Sequence, residues 1–298
     1  MGAAEKPSVL SVHEIIAKLD ELPTLPAVVY ELNKIINDPM SSTGDVEKIM
    51  SNDLSLTAKV LKLANSAYYA IPGGVTSLQR AIAYIGFDTV NQLALSASII
   101  KALGSEENAS FDAREFWKHS LGVAMASEVI ATEMKYKTPS DLFTCGLVHD
   151  MGKIALFIVA REQFCAVLKQ AKDYKSSMVE AEDALDSARH NHIGFELATK
   201  WRLSYQIQIS VANHHQKDPT MRGGLSQEGN LVVDIVYLSN LLIHALQFGH
   251  SGHGKVLGLP KDTLDRLGLG PETLRLLIIK IKNKLENAEA FLTIIGNN

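Results

Sequence analysis

The chain has 298 residues, of which 46% are hydrophobic and 21% are charged, a balance typical of a globular protein rather than a disordered one. Its formal net charge is −4 and its lysines and arginines are scattered along the chain, so the sequence predicts no surface for nucleic acid. Neither a signal sequence nor an apolar run of the roughly 18 residues of a bilayer span is apparent, which predicts a cytoplasmic protein without a membrane partner.

Helical periodicity dominates the first 104 residues. Apolar side chains recur there every three or four positions, which is the spacing of one helix face. The stretches with this pattern are 11–19, 28–36, 43–50, 55–64, 77–85 and 88–103. Turn-forming residues, among them Pro72-Gly73-Gly74, separate the stretches, and no alternating run is long enough for a sheet. The sequence therefore predicts five or six short helices.

A polar segment at 105–110 interrupts this pattern and predicts a boundary between two helical subdomains. The predicted units are an N-terminal helical subdomain at 1–105, a second helical bundle at 106–247 and a helical C-terminal extension at 248–298. The helices predicted after the boundary are 112–135, 140–153, 161–173, 178–186, 190–202, 204–215, 230–247, 261–267 and 271–292. By composition, 216–229 is predicted to be an exposed loop, and 249–254 is rich in glycine and histidine.

Several histidines and carboxylates stand at spacings that suit a metal site. They are Glu115 and His119 four residues apart, the pair His149-Asp150, His192, and the pair His214-His215. Neutral imidazoles and carboxylates suit a borderline transition metal, and an aspartate can bridge two ions. Each piece alone is weak, because a histidine near a helix end is more often a cap or a surface residue. Their combination points to a metal site.

Other features have structural explanations that compete with functional ones. His244, His250 and His253 have no carboxylate nearby in sequence and are predicted to be surface histidines. The stretch 77–98 could be read as a helix-turn-helix, but 88–103 carries one lysine and no arginine, which favours packing over DNA binding. The segment 65–69 fits either a partner surface or a helix cap with packed tyrosines.

Taken together, the metal-site pieces resemble the HD superfamily of metal-dependent phosphohydrolases, and the N-terminal half resembles its HDOD branch. The signature of the superfamily is a His, a His-Asp pair, further His residues and a late Asp on a helical bundle. The segments that resemble the HDOD branch are 22–26 (LPTLP), 52–56 (NDLSL), 59–69 (KVLKLANSAYY) and 77–82 (SLQRAI), within a similarity that covers about residues 15–245. The resemblance implies an all-α fold with two helical subdomains, the second an HD-type helical bundle.

The resemblance also implies roles for individual residues. The metal ligands that it implies are Glu115, His119, His149, Asp150, His192, His214, His215 and, at the position of the late Asp, Asn240. The implied catalytic residues are Asp150, which would bridge the ions, and Lys153, which would face a substrate phosphate. The implied cofactor is a divalent transition metal in a one-ion or two-ion site, with iron or manganese favoured over nickel or zinc.

Two departures from the family pattern bear on catalysis. Asn240 is a neutral and poorer ligand than aspartate, and Asp234 lies six residues earlier, about 240° around a helix, so it cannot simply replace it. The Gly-Tyr-Pro segment of the related HD-GYP phosphodiesterases does not follow His214-His215. The sequence thus favours a signal-transduction or regulatory protein that binds an unknown signalling protein or a nucleotide-like ligand. The alternatives are a phosphohydrolase acting on a nucleotide or phosphoester, and a structural domain with an empty site.

Overall fold

A computed structural model describes residues 10–36, 42–104 and 111–296, and these residues form an all-α fold without a β-strand. The helices of the N-terminal part are α1 (Val12–Lys18), α2 (Ala27–Ile36), α3 (Thr43–Met50), α4 (Leu54–Ala64), α5 (Leu78–Ile85) and α6 (Phe87–Ala102). Those of the second part are α7 (Ala113–Glu133), α8 (Pro139–Val148), α9 (Met151–Val159), α10 (Arg161–Asp173), α11 (Met178–Ala184), α12 (His190–Lys200), α13 (Tyr205–Asn213) and α14 (Gln227–Ala245). The C-terminal helices are α15 (Lys261–Arg266), α16 (Pro271–Leu285) and α17 (Ala288–Gly296). The predicted all-α class is confirmed.

Several helices of the N-terminal part begin at residues whose side chains accept hydrogen bonds from free backbone N–H groups. Asp53 accepts a hydrogen bond from Leu56 N at 2.9 Å at the start of α4. Ser77 accepts one from Arg80 N at 3.3 Å at the start of α5. Such caps offset the unpaired donors of a helix start, which short helices tolerate poorly. This explains why several short helices are formed in sequence.

The segment 65–69 serves packing between the two parts of the chain. Tyr68 is buried, lies edge-on to Tyr69 with ring centroids 4.9 Å apart, and donates its hydroxyl to Glu128 of α7. Asn65 holds the following loop, because its amide donates to Val75 O at 2.7 Å and its oxygen accepts from Val75 N at 2.6 Å. The contacts favour the structural interpretation of this segment.

One continuous cluster of buried apolar side chains runs from α1 to α17. Helix α6 packs on α4 on one side and on α8 on the other, so it joins the two parts of the molecule. The predicted boundary at 105–110 falls outside the described residues, and the division into 1–105, 106–247 and 248–298 stays a prediction.

Glycines at two helix crossings bring the elements of the second part into backbone contact. A Cβ on Gly146 of α8 would lie 2.8 Å from Ala124 Cα of α7, and one on Gly152 of α9 would lie 1.8 Å from His190 O at the start of α12. Only glycine permits such an approach. The second crossing places the beginning of α12 beside the start of α9, directly after the pair His149-Asp150.

The stretch Pro139–Val159 is apolar enough, with a mean hydropathy of 1.6, and long enough to cross a membrane by composition. However, 89% of its most apolar window is buried inside the protein, as in the core helix of a globular domain. It is also interrupted, because α8 ends at Val148 and α9 begins at Met151, whereas the sequence predicted one helix over 140–153. The interruption falls at the pair His149-Asp150.

The predicted exposed loop at 216–229 is wrong in two respects, because its last three residues begin α14 and because Arg222 is buried. Its guanidinium donates to Asp234 Oδ1 at 2.6 Å and to Gln216 O at 2.9 Å, and Arg266 of α15 donates to Asp234 Oδ2 at 2.7 Å. A buried carboxylate requires such compensation. The Asp234 carboxylate therefore forms ion pairs with two arginines. This agrees with the expectation that Asp234 cannot replace the late Asp of the family pattern.

Candidate metal centre

His149 and Asp150 lie at the break between α8 and α9, and both are fully buried. His149 Nδ1 lies 2.7 Å from Gly146 O and must donate to it, because a carbonyl oxygen can only accept. In the neutral ring, His149 Nε2 then carries no hydrogen and presents a lone pair. This nitrogen lies 3.3 Å from Asp150 Oδ2. Among the described residues it has no hydrogen-bond partner. A buried nitrogen lone pair is thus aimed at a carboxylate oxygen, an opposition that a bound cation would relieve.

The end of α13 brings two more imidazoles to the same carboxylate. His214 Nδ1 donates to Val211 O at 2.9 Å, so its unprotonated Nε2 faces Asp150 Oδ1 at 3.1 Å. His215 follows directly and places its Nε2 2.9 Å from His190 Nε2. The double histidine therefore contributes both of its rings to one cluster.

His190, at the start of α12, completes this group. Its Nε2 lies 3.3 Å from both Asp150 Oδ1 and His214 Nε2. Its Nδ1 lies 2.7 Å from the fully buried Glu182 Oε1, which also accepts from the His190 backbone N at 3.0 Å. A carboxylate behind the ring fixes the ring orientation and increases its basicity, as in many metal sites.

His119 of α7 and Asn240 of α14 lie on the other side of Asp150, and both are buried. His119 Nε2 lies 3.0 Å from Asn240 Oδ1, and His119 Nδ1 is buried without a hydrogen-bond partner among the described residues. The His119 and His149 rings are 5.6 Å apart between centroids. Asn240 orients His119 and, as a neutral amide, adds no charge to the centre.

Two groups of potential ligands share Asp150. The first comprises Asp150, His190, His214 and His215, and the second comprises His119, His149 and Asp150; within each group the ligand atoms lie within 4.8 Å of one another. The Nδ1 atoms of His149, His190 and His214 are all engaged by acceptors outside the cluster, so their Nε2 atoms point inwards. Lone pairs that face one another across a buried space fit a bound cation, and this donor set suits divalent transition metals.

The electrostatics of the centre keep its groups in the states that bind metal. Burial would raise the pKa of Asp150, but His149 and Lys153 outweigh burial and hold that pKa well below its usual range. Burial lowers the pKa of His214 to about 4 and the pKa values of His119 and His215 well below their usual range. Ligands must be deprotonated to bind metal, so four of these groups are ready at neutral pH.

We expect the metal-free protein to lose at least about 3–4 kcal/mol of unfolding free energy between pH 7 and pH 5, which is the contribution of His214 and His244, and the lowered pKa values of His119 and His215 add to this loss. Burial lowers the pKa of His214 to about 4 and that of His244 to about 2, whereas free imidazoles titrate near 6.5. The unfolded state therefore binds more protons as the pH falls, and stability falls with it. His190 opposes part of this loss: burial lowers its pKa, but Glu182 raises it above the usual value, so its contribution is present below pH 6.5.

Urea denaturation of the chelator-treated protein at pH 7, 6 and 5 measures this dependence. A free energy of unfolding that is constant or rises towards pH 5 would contradict the expectation.

The structure brings together most, but not all, of the residues that the sequence singled out. Those at the cluster are His119, His149, Asp150, His214, His215 and Asn240. Glu115 lies outside it: its side chain is 41% exposed and its carboxylate lies 3.8 Å from Lys118 Nζ. His192 also lies outside, with a side chain that is 50% exposed and its Nε2 3.5 Å from Glu196 Oε1. The sequence interpretation therefore placed these two residues wrongly in space.

His190 and Glu182 were missed because of helix geometry. In His190-Asn191-His192 the two histidines lie about 200° apart around the axis, on nearly opposite faces. His190 shares the buried face of α12 with Ile193 and Leu197, three and seven residues on. This apolar spacing in the sequence selects His190, and not His192, for the buried face.

Lys153 differs from the expectation that it faces a substrate phosphate. Its side chain is buried, and Nζ donates to Asp150 Oδ2 at 2.7 Å and to Ser251 O at 3.0 Å. His244 is buried as well, which corrects its prediction as a surface histidine, and its ring stacks on His119 with centroids 4.6 Å apart. Both residues are parts of the centre's surroundings.

The sequence profile of the HDOD domain matches residues 22–217. The chain belongs to the HDOD family. This HDOD protein is 24% identical over 209 residues to an uncharacterized protein of Treponema pallidum (strain Nichols), an alignment that covers 67% of the chain and 39% of that relative. The chain thus spans well under half of the length of the relative that it matches.

Three solved structures share the HDOD protein's fold. An HDOD domain protein of unknown function from Geobacter sulfurreducens aligns with a TM-score of 0.77 and 22% identity, over 95% of this chain and 98% of that one. A protein of Marinobacter aquaeolei VT8, named for signal transduction, gives 0.77 and 19%, over 97% of this chain and 63% of that one. A protein of Shewanella amazonensis SB2B, named for metal-dependent phosphohydrolases, gives 0.61 and 19%, over 94% and 98%. At these identities the likeness concerns the fold.

Proposed function

We propose that this HDOD protein is a cytoplasmic signal-transduction protein that holds one or two divalent transition-metal ions around Asp150 and binds a partner protein or a nucleotide-like ligand. The single observation that carries the metal site is the inward orientation of the Nε2 atoms of His149, His190 and His214 around one buried carboxylate. A core of this kind without a cation would leave lone pairs opposed in a low-dielectric interior, which is costly.

Two features of the site argue against catalysis and therefore support a regulatory function. Asn240 replaces the late aspartate and lies against His119, and Lys153 is engaged by Asp150 and Ser251. The lysine that would approach a phosphate is thus occupied within the protein. The protein of Marinobacter aquaeolei VT8, which has a similar fold, is named for signal transduction.

The second candidate function is a metal-dependent phosphohydrolase. The observation that favours it is the second ligand group, His119 and His149, on the other side of the shared Asp150. Two ions bridged by one carboxylate are the arrangement with which many enzymes cleave phosphoesters. A bound divalent ion would supply Lewis acidity and lower the pKa of a bound water. The protein of Shewanella amazonensis SB2B, which has a similar fold, is named for metal-dependent phosphohydrolase activity.

Metal analysis of the purified protein beside His149→Ala tests the site. We expect about one or two equivalents of iron or manganese in the wild type and a clear loss in the variant, because the variant removes one of the three ligands of the second group. Equal metal content in the two proteins would remove the site assignment.

Hydrolysis assays on the same metal-loaded protein separate the two functions. Bis(p-nitrophenyl) phosphate and a panel of nucleotides serve as substrates, with His149→Ala as the control. Turnover that is lost in the variant selects the phosphohydrolase, whereas metal binding without turnover selects the regulatory protein.

A further inference from the structure

The segment 249–254, with the sequence Gly-His-Ser-Gly-His-Gly, is wedged between α7 and α10. Gly249 has a φ of +70°, and a Cβ on it would lie 2.2 Å from His119 N. A Cβ on Gly254 would lie 1.9 Å from Ala171 O of α10. Only glycine allows the chain to approach both helix backbones this closely. The glycine-rich composition, which is also compatible with a surface loop, is therefore what permits the segment to lie between the two helices.

The middle of the segment seals one side of the metal centre. Ser251 is fully buried and accepts two hydrogen bonds from Lys153 Nζ, through its carbonyl oxygen at 3.0 Å and its hydroxyl at 3.3 Å. The same ammonium donates to Asp150 Oδ2 at 2.7 Å. Lys153 thus links the segment directly to the central carboxylate.

The outer side of the segment lines a cleft of about 1600 Å³ between α7 and α10. His250 and His253 form part of its wall. Behind them the rings form a continuous stack inwards, with centroid distances of 3.8 Å from His253 to His244 and 4.6 Å from His244 to His119. Along this stack, the rings of His253 and His244 separate the cleft from His119 of the centre.

Apart from the bonds from Lys153 to Ser251 and the stacked imidazole of His253, two backbone hydrogen bonds attach the segment to its neighbours. His250 N donates to Glu115 O at 3.0 Å and Gly254 N donates to Ser176 O at 2.8 Å. The six residues include no aliphatic side chain, so little apolar burial opposes their release. This distinguishes the segment from the helices around it, which are anchored in the common core.

We propose that residues 249–254 form a lid that opens to connect the cleft with the metal centre. In the closed state Ser251 occupies Lys153, and opening releases two N–H donors of that lysine and gives the cleft a path to Asp150. This inference rests on the proposed metal site for what the lid covers. The opening itself is a property of the segment and of Lys153, and it can be measured without metal.

Acylation of lysines by acetic anhydride, mapped by peptide mass spectrometry on the metal-free protein, tests the lid. Lys261, whose side chain is 85% exposed, is the internal reference. Two variants loosen the lid: Ser251→Gly removes the hydroxyl acceptor, and Gly249→Ala forces a Cβ against α7. Gly258→Ala is the matched control, because within the described part of the chain a Cβ there meets no atom within 4 Å.

We expect Lys153 in the wild type to react about 100-fold more slowly than Lys261, and about tenfold faster in either lid variant than in the wild type. Gly258→Ala should leave the rate unchanged. Hydrogen exchange of α9 amides, recorded in the same samples, should also stay unchanged, which separates lid opening from unfolding.

Two results overturn the lid: equal Lys153 rates in all four proteins, or a Lys153 rate that rises only together with α9 exchange. Should the lid variants respond as expected while the wild type binds no metal, the lid stands and the proposed metal function fails.

Discussion

Asp150→Asn should lower the affinity for divalent metal by about 100-fold or more. Structural zinc sites with four donors bind with apparent free energies of about 10–16 kcal/mol, or about 3 kcal/mol per donor, which sets the scale for the loss of one donor here. Asp150 belongs to both ligand groups and is fully buried, so its replacement removes a donor and the central negative charge from each. Asparagine keeps the size and shape of the side chain. Calorimetric titration of the chelator-treated proteins with Mn²⁺ measures the effect.

The same substitution leaves the buried ammonium of Lys153 without its carboxylate partner. Breaking a buried ion pair from one side costs about 3–5 kcal/mol of stability. A double variant, Asp150→Asn with Lys153→Met, separates the two effects, because it removes the uncompensated charge. Stability should recover in the double variant while metal affinity stays low. Wild-type affinity in Asp150→Asn would contradict the central role of this carboxylate.

The helices of the HDOD protein could largely be predicted from sequence, because their apolar spacing is a local property. The stretch predicted over 161–173 has the bounds of α10, and that over 43–50 has the bounds of α3. The break between α8 and α9 could not be predicted in this way, since apolar residues continue on both sides of His149-Asp150. The break depends on contacts with α12 and α13, which are distant in sequence.

The candidate metal centre was predicted in outline, and the errors concern residues whose burial depends on tertiary packing. Glu115 stands one helix turn before His119, but its side chain is partly exposed and lines the cleft between α7 and α10, whereas His119 is fully buried. The spacing of residues in the sequence shows which side chains share a helix face. It does not show which part of that face is buried by the rest of the protein. The covering segment, 249–254, is the part that was read as surface. Glycine-rich composition is compatible with both an exposed loop and an inserted one, and only the packing distinguishes them.

Glu182 illustrates a residue that no local pattern identifies. It lies on α11, eight residues before His190, and its carboxylate accepts from both the ring and the backbone of that histidine. A fully buried glutamate is costly unless its partners are charged or strong donors. Its burial beside an imidazole therefore supports a ligand role for His190 independently of the distances within the cluster.

The pair His190→Gln and His192→Gln offers the most direct test of which histidine of this segment serves the centre. His190→Gln should weaken metal binding by about 100-fold, because it removes one of four donors while glutamine can still donate to Glu182. His192→Gln should change the affinity by less than about twofold, since its ring is half exposed and faces Glu196. The two variants differ only in the helix face that carries the change.

Metal titration of both variants, with thermal unfolding as a check on folding, gives the comparison. Comparable losses in the two would mean that α12 is turned differently in solution, and a loss confined to His192→Gln would restore the original sequence assignment. The same comparison bears on the whole site, because the position of His190 depends on the contact of Gly152 with the start of α12. A selective effect of His190→Gln therefore supports the crossing of α9 and α12 as well as the ligand that it places.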